Sequence, residues 1–349
     1  MNEKPVDLVG LLRSEVETLM GELDQPAYRG RQLFHWVQAR RTRDTDSMTS
    51  LPRELRAVLA ERVRVSRPEI SRLQRSHDGT RKYLFRLDDG EEIESVLIPD
   101  DGRLTACIST QAGCPLACRF CLTGLMGLRR NLGAAEIVGQ ILALQVGLEQ
   151  GERISSIVLM GMGEPLLNLP QVERALRILS DERGANFSPR RITLSTAGHV
   201  PGIQKLAASD LGVNLAVSLS ATTDAVRDEI MPINRRWPIA DLLAACRAYP
   251  LPNRRRLTFE YVMLDGVNDS RGDARRLVGL LHGIRCKINV IPFNTAPDLP
   301  DRASPRERVE AFQRILQDAG LTATIRESRG RDISAACGML RTDTEGRQR

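Results

Sequence analysis

The sequence has few aromatic residues and few histidines. Phe, Trp and Tyr together make up 4% of its 349 residues, and there are 4 histidines. With so few rings, no aromatic surface for stacking nucleic-acid bases can be read from the sequence. No apolar run approaches the roughly 18 residues that a membrane-spanning helix needs. The N-terminus has no basic segment followed by an apolar core, so we expect no signal peptide, no membrane association and a cytoplasmic protein.

The chain does have a moderate excess of basic residues and a cluster of cysteines. A net charge of +6 is compatible with nucleic acid as a partner without requiring it. Of the 7 cysteines, Cys107 and three others lie between positions 107 and 121. In a cytoplasmic chain, such clustering favours a metal or redox site over structural disulfides. Cys246 and Cys286 lie in apolar patterns that are typical of a core.

The hydrophobic patterns divide the chain into parts. Residues 1–65 show helical periodicity and no strand pattern, which predicts a helical N-terminal domain. Residues 66–103 contain two alternating runs around an Asp-Asp-Gly turn, which predict a β-hairpin linker. Strand and helix patterns then alternate over residues 104–340, the predicted catalytic domain. Residues 341–349 form a predicted disordered tail.

Repeated strand–helix units predict an α/β fold with a parallel sheet. Periodicity alone leaves open whether that sheet is barrel-like or doubly wound, and in both cases functional residues collect after the carboxyl ends of the strands. The last helix has the clearest start signal, with Ser304 as the predicted N-cap and Pro305 in the first turn.

Two motifs follow the first two strands of the alternating region. Cys114, Cys118 and Cys121 form CxxxCxxC, and three thiolates would leave one iron of an iron–sulfur cluster open to an outside ligand. Zinc bound with the help of Cys107 is the alternative, but structural zinc sites usually pair two CxxC knuckles. Gly163 and Glu164 lie in GMGEP, a glycine-rich turn whose carboxylate could accept a hydrogen bond from an ammonium group.

In this order the two motifs resemble the radical S-adenosylmethionine (SAM) superfamily, in which SAM chelates the open iron. Further stretches over nearly the whole chain are similar to the RlmN/Cfr family of adenosine RNA methyltransferases. They include YRGRQLFHWV, EEIESVLIP, CISTQAGCPLACRFCLTG, VLMGMGEPLLN, MPINRRWP, EYVMLDGVND and RGRDISAACGML. The resemblance implies a partial (β/α) TIM-type barrel of the radical SAM type, preceded by a small helical domain that assists RNA binding.

The resemblance also implies a mechanism with a 4Fe–4S cluster and two SAM molecules per turnover. One SAM methylates the thiol at Cys337. The second is cleaved reductively, and its 5′-deoxyadenosyl radical takes a hydrogen from that S-methyl group. The methylene radical adds to adenine, a base matching Glu94 removes the ring proton, and Cys107 attacks Cys337 to release the product. An external one-electron reductant and a thiol reductant are implied as partners.

The remaining SAM contacts come from the same resemblance. They follow apolar strands, where polar side chains can reach a ligand at the edge of the sheet. The residues are Ser195, Ser218, Ser220 and Asn294. The sequence departs from the family at Ser220, where most members have histidine, and at Thr295, where most have proline. A serine hydroxyl can still form a hydrogen bond, but with a shorter reach.

We therefore expect a monomeric enzyme that methylates carbon 2 of an adenosine in 23S rRNA, at the peptidyl-transferase centre. A second expected substrate is the tRNA adenosine next to the anticodon. Methylation of carbon 8, as by Cfr, is an alternative that these residues do not separate. A zinc-dependent RNA-binding module without catalysis is a third possibility. Arginines suited to phosphate contacts recur in the loops, at Arg129, Arg130, Arg190, Arg191, Arg235, Arg236, Arg254, Arg255, Arg256, Arg329 and Arg331.

Overall fold

In the computed structural model, which describes residues 5–100 and 102–342, the N-terminal part is built around α-helices. Strands β1 (Val6–Asp7) and β2 (Val63–Arg64) pair in parallel where the chain enters and leaves this part. The helices are α1 (Arg13–Gly21), α2 (Ala27–Gln38) and α3 (Arg53–Arg62), with 3-10 turns at Leu8–Gly10 and Thr45–Ser47. Apolar residues at helical spacing, such as Leu33, Phe34 and Val37, form the core of this part.

The rest of the described chain alternates between strands and helices. The strands are β3 (Glu69–Arg75), β4 (Arg81–Arg86), β5 (Glu92–Asp100), β6 (Arg103–Cys107), β7 (Gln111–Gly113), β8 (Leu128–Asn131), β9 (Ile154–Leu159), β10 (Ile192–Thr196), β11 (Asn214–Ser218), β12 (Leu257–Met263), β13 (Cys286–Pro292) and β14 (Ala323–Ile325). The helices are α4 (Leu122–Leu125), α5 (Ala134–Val146), α6 (Leu169–Ser180), α7 (Val200–Ala208), α8 (Asp224–Ile230), α9 (Ile239–Ala248), α10 (Arg271–Leu281) and α11 (Arg306–Asp318).

Ten of these strands form one sheet whose order follows the chain. Strands β6 and β9 to β14 are parallel neighbours in sequence order. The order has no reversal, so the sheet is not doubly wound, and crossovers of the usual right hand would place the connecting helices on one face. This is the strand arrangement of an open, barrel-type sheet. The predicted α/β class is confirmed. Of the two arrangements that periodicity left open, barrel-like and doubly wound, the structure has the barrel-like one.

Residues 66–103 extend that sheet. The predicted hairpin is present as β4 and β5, which pair antiparallel around the turn at 88–90. It does not link two separate bodies, however, because β3 pairs with β4 on one side and β6 pairs with β5 on the other. Tyr83, Phe85, Ile93 and Val96 are buried along these strands, so the hairpin belongs to the same core as the parallel strands.

Two local predictions differ from the structure. Helix α11 begins at Arg306 with Pro305 at its cap position, and the Ser304 hydroxyl donates instead to Asp269, at 2.7 Å. At the C-terminus, Arg341 donates a backbone hydrogen bond at 2.8 Å and Thr342 is buried, unlike the predicted disordered tail. The rest of that predicted tail, residues 343–349, lies outside the described residues. Among the described helices, none is long and apolar enough to cross a membrane.

The contact between α1 and α2 generates a stability prediction. A Cβ atom added at Gly30 would lie 2.6 Å from the Glu17 Cα and 2.8 Å from the Glu17 nitrogen, so the helices could no longer pack this closely. We expect Gly30→Ala to lower the free energy of unfolding by about 1–3 kcal/mol, the usual cost of overpacking. Gly21→Ala is the matched control, since no atom lies within 4 Å of its added Cβ. Urea unfolding followed by circular dichroism measures both, and equal midpoints would contradict the packing argument.

Candidate active site

A cavity opens at the carboxyl edge of the parallel strands. This position follows from the fold, because loops after parallel strands meet at one edge of the sheet. Its lining includes most of the candidate site residues from the sequence analysis, namely Cys107, Cys114, Cys118, Cys121, Gly163, Glu164, Ser195, Ser218, Asn294 and Cys337. Glu94 and Ser220 are not among the lining residues.

The three cysteines of the CxxxCxxC motif lie on the loop between β7 and α4. Strands β7 and β8 pair antiparallel, and the Cys114 backbone N–H donates to the Gly127 carbonyl at 2.9 Å, which holds the start of the loop. The Cys121 N–H donates to the Cys118 carbonyl at 3.1 Å, a turn that brings these two residues together just before α4. All three are partly exposed and face the cavity.

The chemistry of these thiols suits metal ligation. Burial raises the pKa of Cys114 to about 12 and raises those of Cys118 and Cys121. Thiolates in such surroundings need a cationic partner, which iron supplies. Among the described residues, no group of three His, Cys, Asp or Glu side chains is placed so that it could hold a single metal ion. A cluster places its ligands on separate irons, so three thiols around one cavity fit a cluster with one open iron.

The GMGEP turn after β9 places a carboxylate opposite those thiols. Gly163 has φ of 102°, and a Cβ there would lie 2.6 Å from the Gln111 side chain, so only glycine fits. Glu164 accepts hydrogen bonds from the backbone N–H groups of Ala197 at 2.8 Å and Leu166 at 3.1 Å. Burial raises the pKa of Glu164 to about 7, against the effect of those hydrogen bonds. A ligand ammonium group would compensate the buried carboxylate.

Three further predicted SAM contacts line the same cavity. Ser195 lies on β10, Ser218 ends β11 and Asn294 follows β13. Asn294 donates through Nδ2 to the Cys337 carbonyl at 3.2 Å, while its buried Oδ1 has no hydrogen-bond partner within the described structure. An unsatisfied buried oxygen at a cavity wall is a site for a ligand donor.

Ser220 is placed differently from the prediction. Its side chain is fully buried, and its Oγ accepts from the backbone N–H of Val262 at 3.2 Å. Its φ of 49° lies in the left-handed region, and its carbonyl accepts from Asn268 Nδ2 at 2.6 Å. The residue is therefore held against the end of β12, and the structure does not bring it to the predicted SAM contact.

Cys107 and Cys337 meet in the cavity from different parts of the chain. Cys107 is the last residue of β6 and is buried, whereas Cys337 lies on the loop after β14 and is exposed to the cavity. Burial raises the pKa of Cys107 to about 12, and the nearby charge of Cys337 is the second cause. Burial of the Cys337 thiol is also the chief reason why its pKa is raised, to about 11. Two cysteines separated by 230 positions in sequence are thus close enough in space to interact electrostatically.

Glu94 lies next to the cavity instead of in its wall. It is buried on β5, and Oε1 forms an ion pair with Lys82 Nζ at 2.9 Å. Its Oε2 accepts the Arg341 backbone N–H at 2.8 Å, one residue beyond the lining residue Leu340. The predicted base is therefore attached to the segment that carries Cys337.

The cavity also contains charged residues that the sequence analysis did not select. Glu260 on β12 is buried and its carboxyl accepts from Asn289 Nδ2 at 2.9 Å, while its Oε2 has no partner within the described structure. Burial raises the pKa of Glu260, and Arg326 opposes this effect. Glu260 could have been noticed as the one acidic residue in the apolar run LTFEYVML, whereas Arg326 has no comparable signal.

Arg227 on α8 joins two strand ends behind the cavity. Its side chain is fully buried, and Nη2 donates to the carbonyls of Ala197 at 2.7 Å and Ser218 at 3.0 Å. Nε donates to the Leu219 carbonyl at 3.0 Å, and Nη1 donates to Asn234 Oδ1 at 3.0 Å. Burial lowers the pKa of Arg227 to about 10. The guanidinium thereby satisfies carbonyl groups where β10 and β11 end at the site.

Comparisons with known families agree with this geometry. The model of the radical SAM superfamily matches residues 108–278. The model of the ribosomal RNA large subunit methyltransferase N-terminal domain matches residues 6–65. Together they cover the helical N-terminal part, the cysteine loop and the parallel strands β9 to β12.

Similar proteins extend over nearly the whole chain. A dual-specificity RNA methyltransferase RlmN of Rhodospirillum rubrum is 53% identical, covering 98% of this chain and 82% of its own. An RlmN of Syntrophus aciditrophicus is 50% identical and covers 97% of both chains. The crystal structure of a radical SAM methyltransferase from Sphaerobacter thermophilus, 47% identical, superposes with a TM-score of 0.92 over 97% of this chain and 99% of its own.

The raised pKa of Cys337 generates a prediction for its reactivity. Because only the thiolate is alkylated, we expect iodoacetamide to modify Cys337 at a rate that rises about tenfold per pH unit from about pH 7 to about pH 9. Mass spectrometry of the peptide that contains Cys337 measures the rate. Cys246, which is buried with a pKa raised to about 12, is the control that stays unmodified in the folded protein. A plateau for Cys337 near neutral pH would contradict the raised pKa.

Proposed function

The chain belongs to the RlmN family of radical SAM RNA methyltransferases, and on that premise we propose that it methylates carbon 2 of adenosine in 23S rRNA and in tRNA. The proposed rRNA adenosine lies at the peptidyl-transferase centre, and the proposed tRNA adenosine lies next to the anticodon. The observation that carries the proposal is the meeting of Cys107 and Cys337 in one cavity with the three-cysteine loop. A binding protein without catalysis has no use for such a pair.

We propose a 4Fe–4S cluster held by Cys114, Cys118 and Cys121, with two SAM molecules used per turnover. Glu164 would accept from the ammonium group of SAM, and Ser195, Ser218 and Asn294 would contact the rest of the molecule. Their placement around the cavity and the unsatisfied Asn294 Oδ1 fit such a ligand. When bound, the cluster and SAM supply a 5′-deoxyadenosyl radical, for which an external one-electron reductant is needed.

The two remaining cysteines carry the methyl group and release it. The Cys337 thiolate would take a methyl group from the sulfonium of SAM. The radical would then remove one hydrogen atom from that S-methyl group, so that its carbon could bond to the adenine ring, and the cluster would accept the one surplus electron of the adduct. Glu94 then accepts the proton from the substituted ring carbon. The Cys107 thiolate attacks Cys337 Sγ, so that an S–S bond forms and the bond from Sγ to carbon breaks. That carbon keeps the electron pair and takes a proton to become the methyl group, and a thiol reductant later reduces the disulfide.

RNA is proposed to approach the carboxyl edge of the sheet. Arg329 lines the cavity mouth, and Arg129 is exposed near the cysteine loop. The arginine groups at 190–191 and 254–256 come directly before β10 and β12, so they lie at the opposite edge. We assign the helical residues 1–65 as an accessory RNA-binding domain and residues 104–340 as the catalytic domain. A cytoplasmic monomer is the form that we propose.

Of the two alternative functions, one is excluded and the other is kept as a second candidate. A zinc-dependent RNA-binding module without catalysis is ruled out, because the chain belongs to a family of enzymes. Methylation of carbon 8 remains the second candidate, since the side chains around the cavity do not distinguish the two ring positions. Carbon 2 is favoured because the similar proteins carry the RlmN name over nearly the whole chain.

Nucleoside analysis tests the substrate and the ring position together. We expect rRNA and tRNA from cells without the protein to lack 2-methyladenosine, and a plasmid copy of the gene to restore it. Digestion followed by mass spectrometry, with both methyladenosine isomers as standards, makes the measurement. Loss of 8-methyladenosine instead would establish the alternative, and an unchanged nucleoside profile would refute both.

Single cysteine variants test the two-cysteine mechanism. We expect Cys337→Ala to form no methylated RNA while it retains its iron–sulfur absorption, because the methyl carrier is lost and the cluster ligands remain. Cys107→Ala should form the covalent protein–RNA adduct and fail to release it. Cys246→Ala, which removes a thiol of the core, is the control and should methylate RNA at the wild-type rate. Robust methylation by Cys337→Ala would end the proposal.

A further inference from the structure

A buried ion pair joins two neighbouring strands beside the cavity. Lys82 on β4 and Glu94 on β5 are diagonal neighbours, because Lys82 pairs with Val96 and Glu94 pairs with Leu84 in the antiparallel register. Their side chains therefore lie on the same face of the sheet. The Nζ–Oε1 distance is 2.9 Å, and the side chains are 8% and 5% exposed.

Both partners also hold the loop that carries Cys337. Lys82 Nζ donates to the Ser334 carbonyl at 3.3 Å, three residues before Cys337. Glu94 Oε2 accepts the backbone N–H of Arg341 at 2.8 Å, four residues after Cys337. One ion pair thus fixes the loop on both sides of the cysteine, so the position of the carboxylate and that of the cysteine are determined together.

The neighbouring residue Arg81 offers a comparison within the same strand. Arg81, also buried, forms ion pairs with Glu152 at 2.8 Å and with Glu149 at 3.7 Å, both on the turn between α5 and β9. Its side chain points to the other face of β4, since adjacent residues of a strand alternate. A buried ion pair is weak support for stability, because well-packed apolar side chains often do as well. Lys82, by contrast, attaches a carboxylate to the segment that holds the reacting sulfur.

We propose that Lys82 is a positioning residue for the removal of the adenine ring proton. The inference rests on the proposed function, in which Cys337 carries the RNA adduct and Glu94 is the base. In that step the bond between hydrogen and the substituted ring carbon breaks, the proton goes to a Glu94 oxygen, and the electron pair stays in the ring. Lys82 acts through Glu94 and the loop, because it fixes one Glu94 oxygen and the Ser334 carbonyl at the same time.

This role predicts a defect in one step only. Transfer of a methyl group to Cys337 precedes proton removal and does not use Glu94. A variant without the Lys82 ammonium group should therefore still methylate Cys337 and form the protein–RNA adduct. It should then remove the ring proton slowly, so that this step limits the overall rate.

The experiment compares Lys82→Met with Arg81→Met, which removes the cation of the matched ion pair on the same strand. RNA carrying protium or deuterium at the target ring carbon is the substrate, and product, adduct and Cys337 methylation are followed by mass spectrometry. For Lys82→Met we expect a rate about 10²-fold lower, of the order that positioned bases contribute. We also expect a larger deuterium isotope effect than in the wild type, and an accumulated adduct.

The controls separate positioning from folding. Arg81→Met should show neither the isotope effect nor the adduct, and Glu94→Gln should show the defect of Lys82→Met in stronger form. Lys82→Arg keeps a cation at this position and should recover part of the rate. If Lys82→Met does not fold, Lys82→Gln, which is neutral and polar, takes its place with the same expected result.

Two results would overturn the inference. One is a Lys82 variant, folded and methylated at Cys337, whose rate and isotope effect equal those of the wild type. The other is an equal loss of rate in the Lys82 and Arg81 variants with no isotope effect in either. Failure of the proposed function is distinguishable from both, because the wild-type enzyme would then form no methyladenosine in the same assay.

Discussion

Burial of ionisable side chains at the carboxyl edge of the parallel strands is the constraint on which the site depends. Burial is the largest cause of the raised pKa values of Cys107, Cys114, Cys337 and Glu164. Groups in such surroundings are costly to ionise unless an opposite charge accompanies them. The binding of cationic ligands and the ionisation of these side chains are therefore coupled. The fold buries the carboxyl edge of the sheet, and the loops there carry cysteine and glutamate side chains whose ionisation a bound cation would favour.

The loop after β14 shows how the site is assembled from distant parts of the chain. Of its described residues, 326–342, only Arg331–Ile333 have regular structure, so contacts with other segments determine the position of this loop. The Leu122 backbone N–H donates to the Gly338 carbonyl at 2.8 Å, and the Thr123 hydroxyl donates to the Leu340 carbonyl at 2.6 Å. Both donors follow directly after Cys121. The loop with the three-cysteine motif and the segment with Cys337 are thus held to each other by these two hydrogen bonds.

The motifs were sufficient to predict the family, which the comparisons confirm, and the strand–helix alternation predicted the α/β class. The tertiary contacts of individual residues were less predictable. Ser220 comes two residues after Ser218, the last residue of β11, so a continued strand would place both side chains on the same face. The left-handed backbone at Ser220 instead turns its side chain against β12. Arg227 and Lys82 had no signal, since a cation within an amphipathic pattern usually faces solvent. Only the packed structure shows that both are buried and what they contact.

The two cysteines differ in a way that suits their proposed steps. Cys107 ends β6 and is buried, whereas Cys337 lies on the loop after β14 and is exposed to the cavity, where a large substrate can reach it. Burial raises the pKa of both cysteines, to about 12 for Cys107 and to about 11 for Cys337. Both are therefore protonated thiols at neutral pH. Each must lose its proton before its sulfur can attack, so in the proposed reaction a proton acceptor has to accompany both steps.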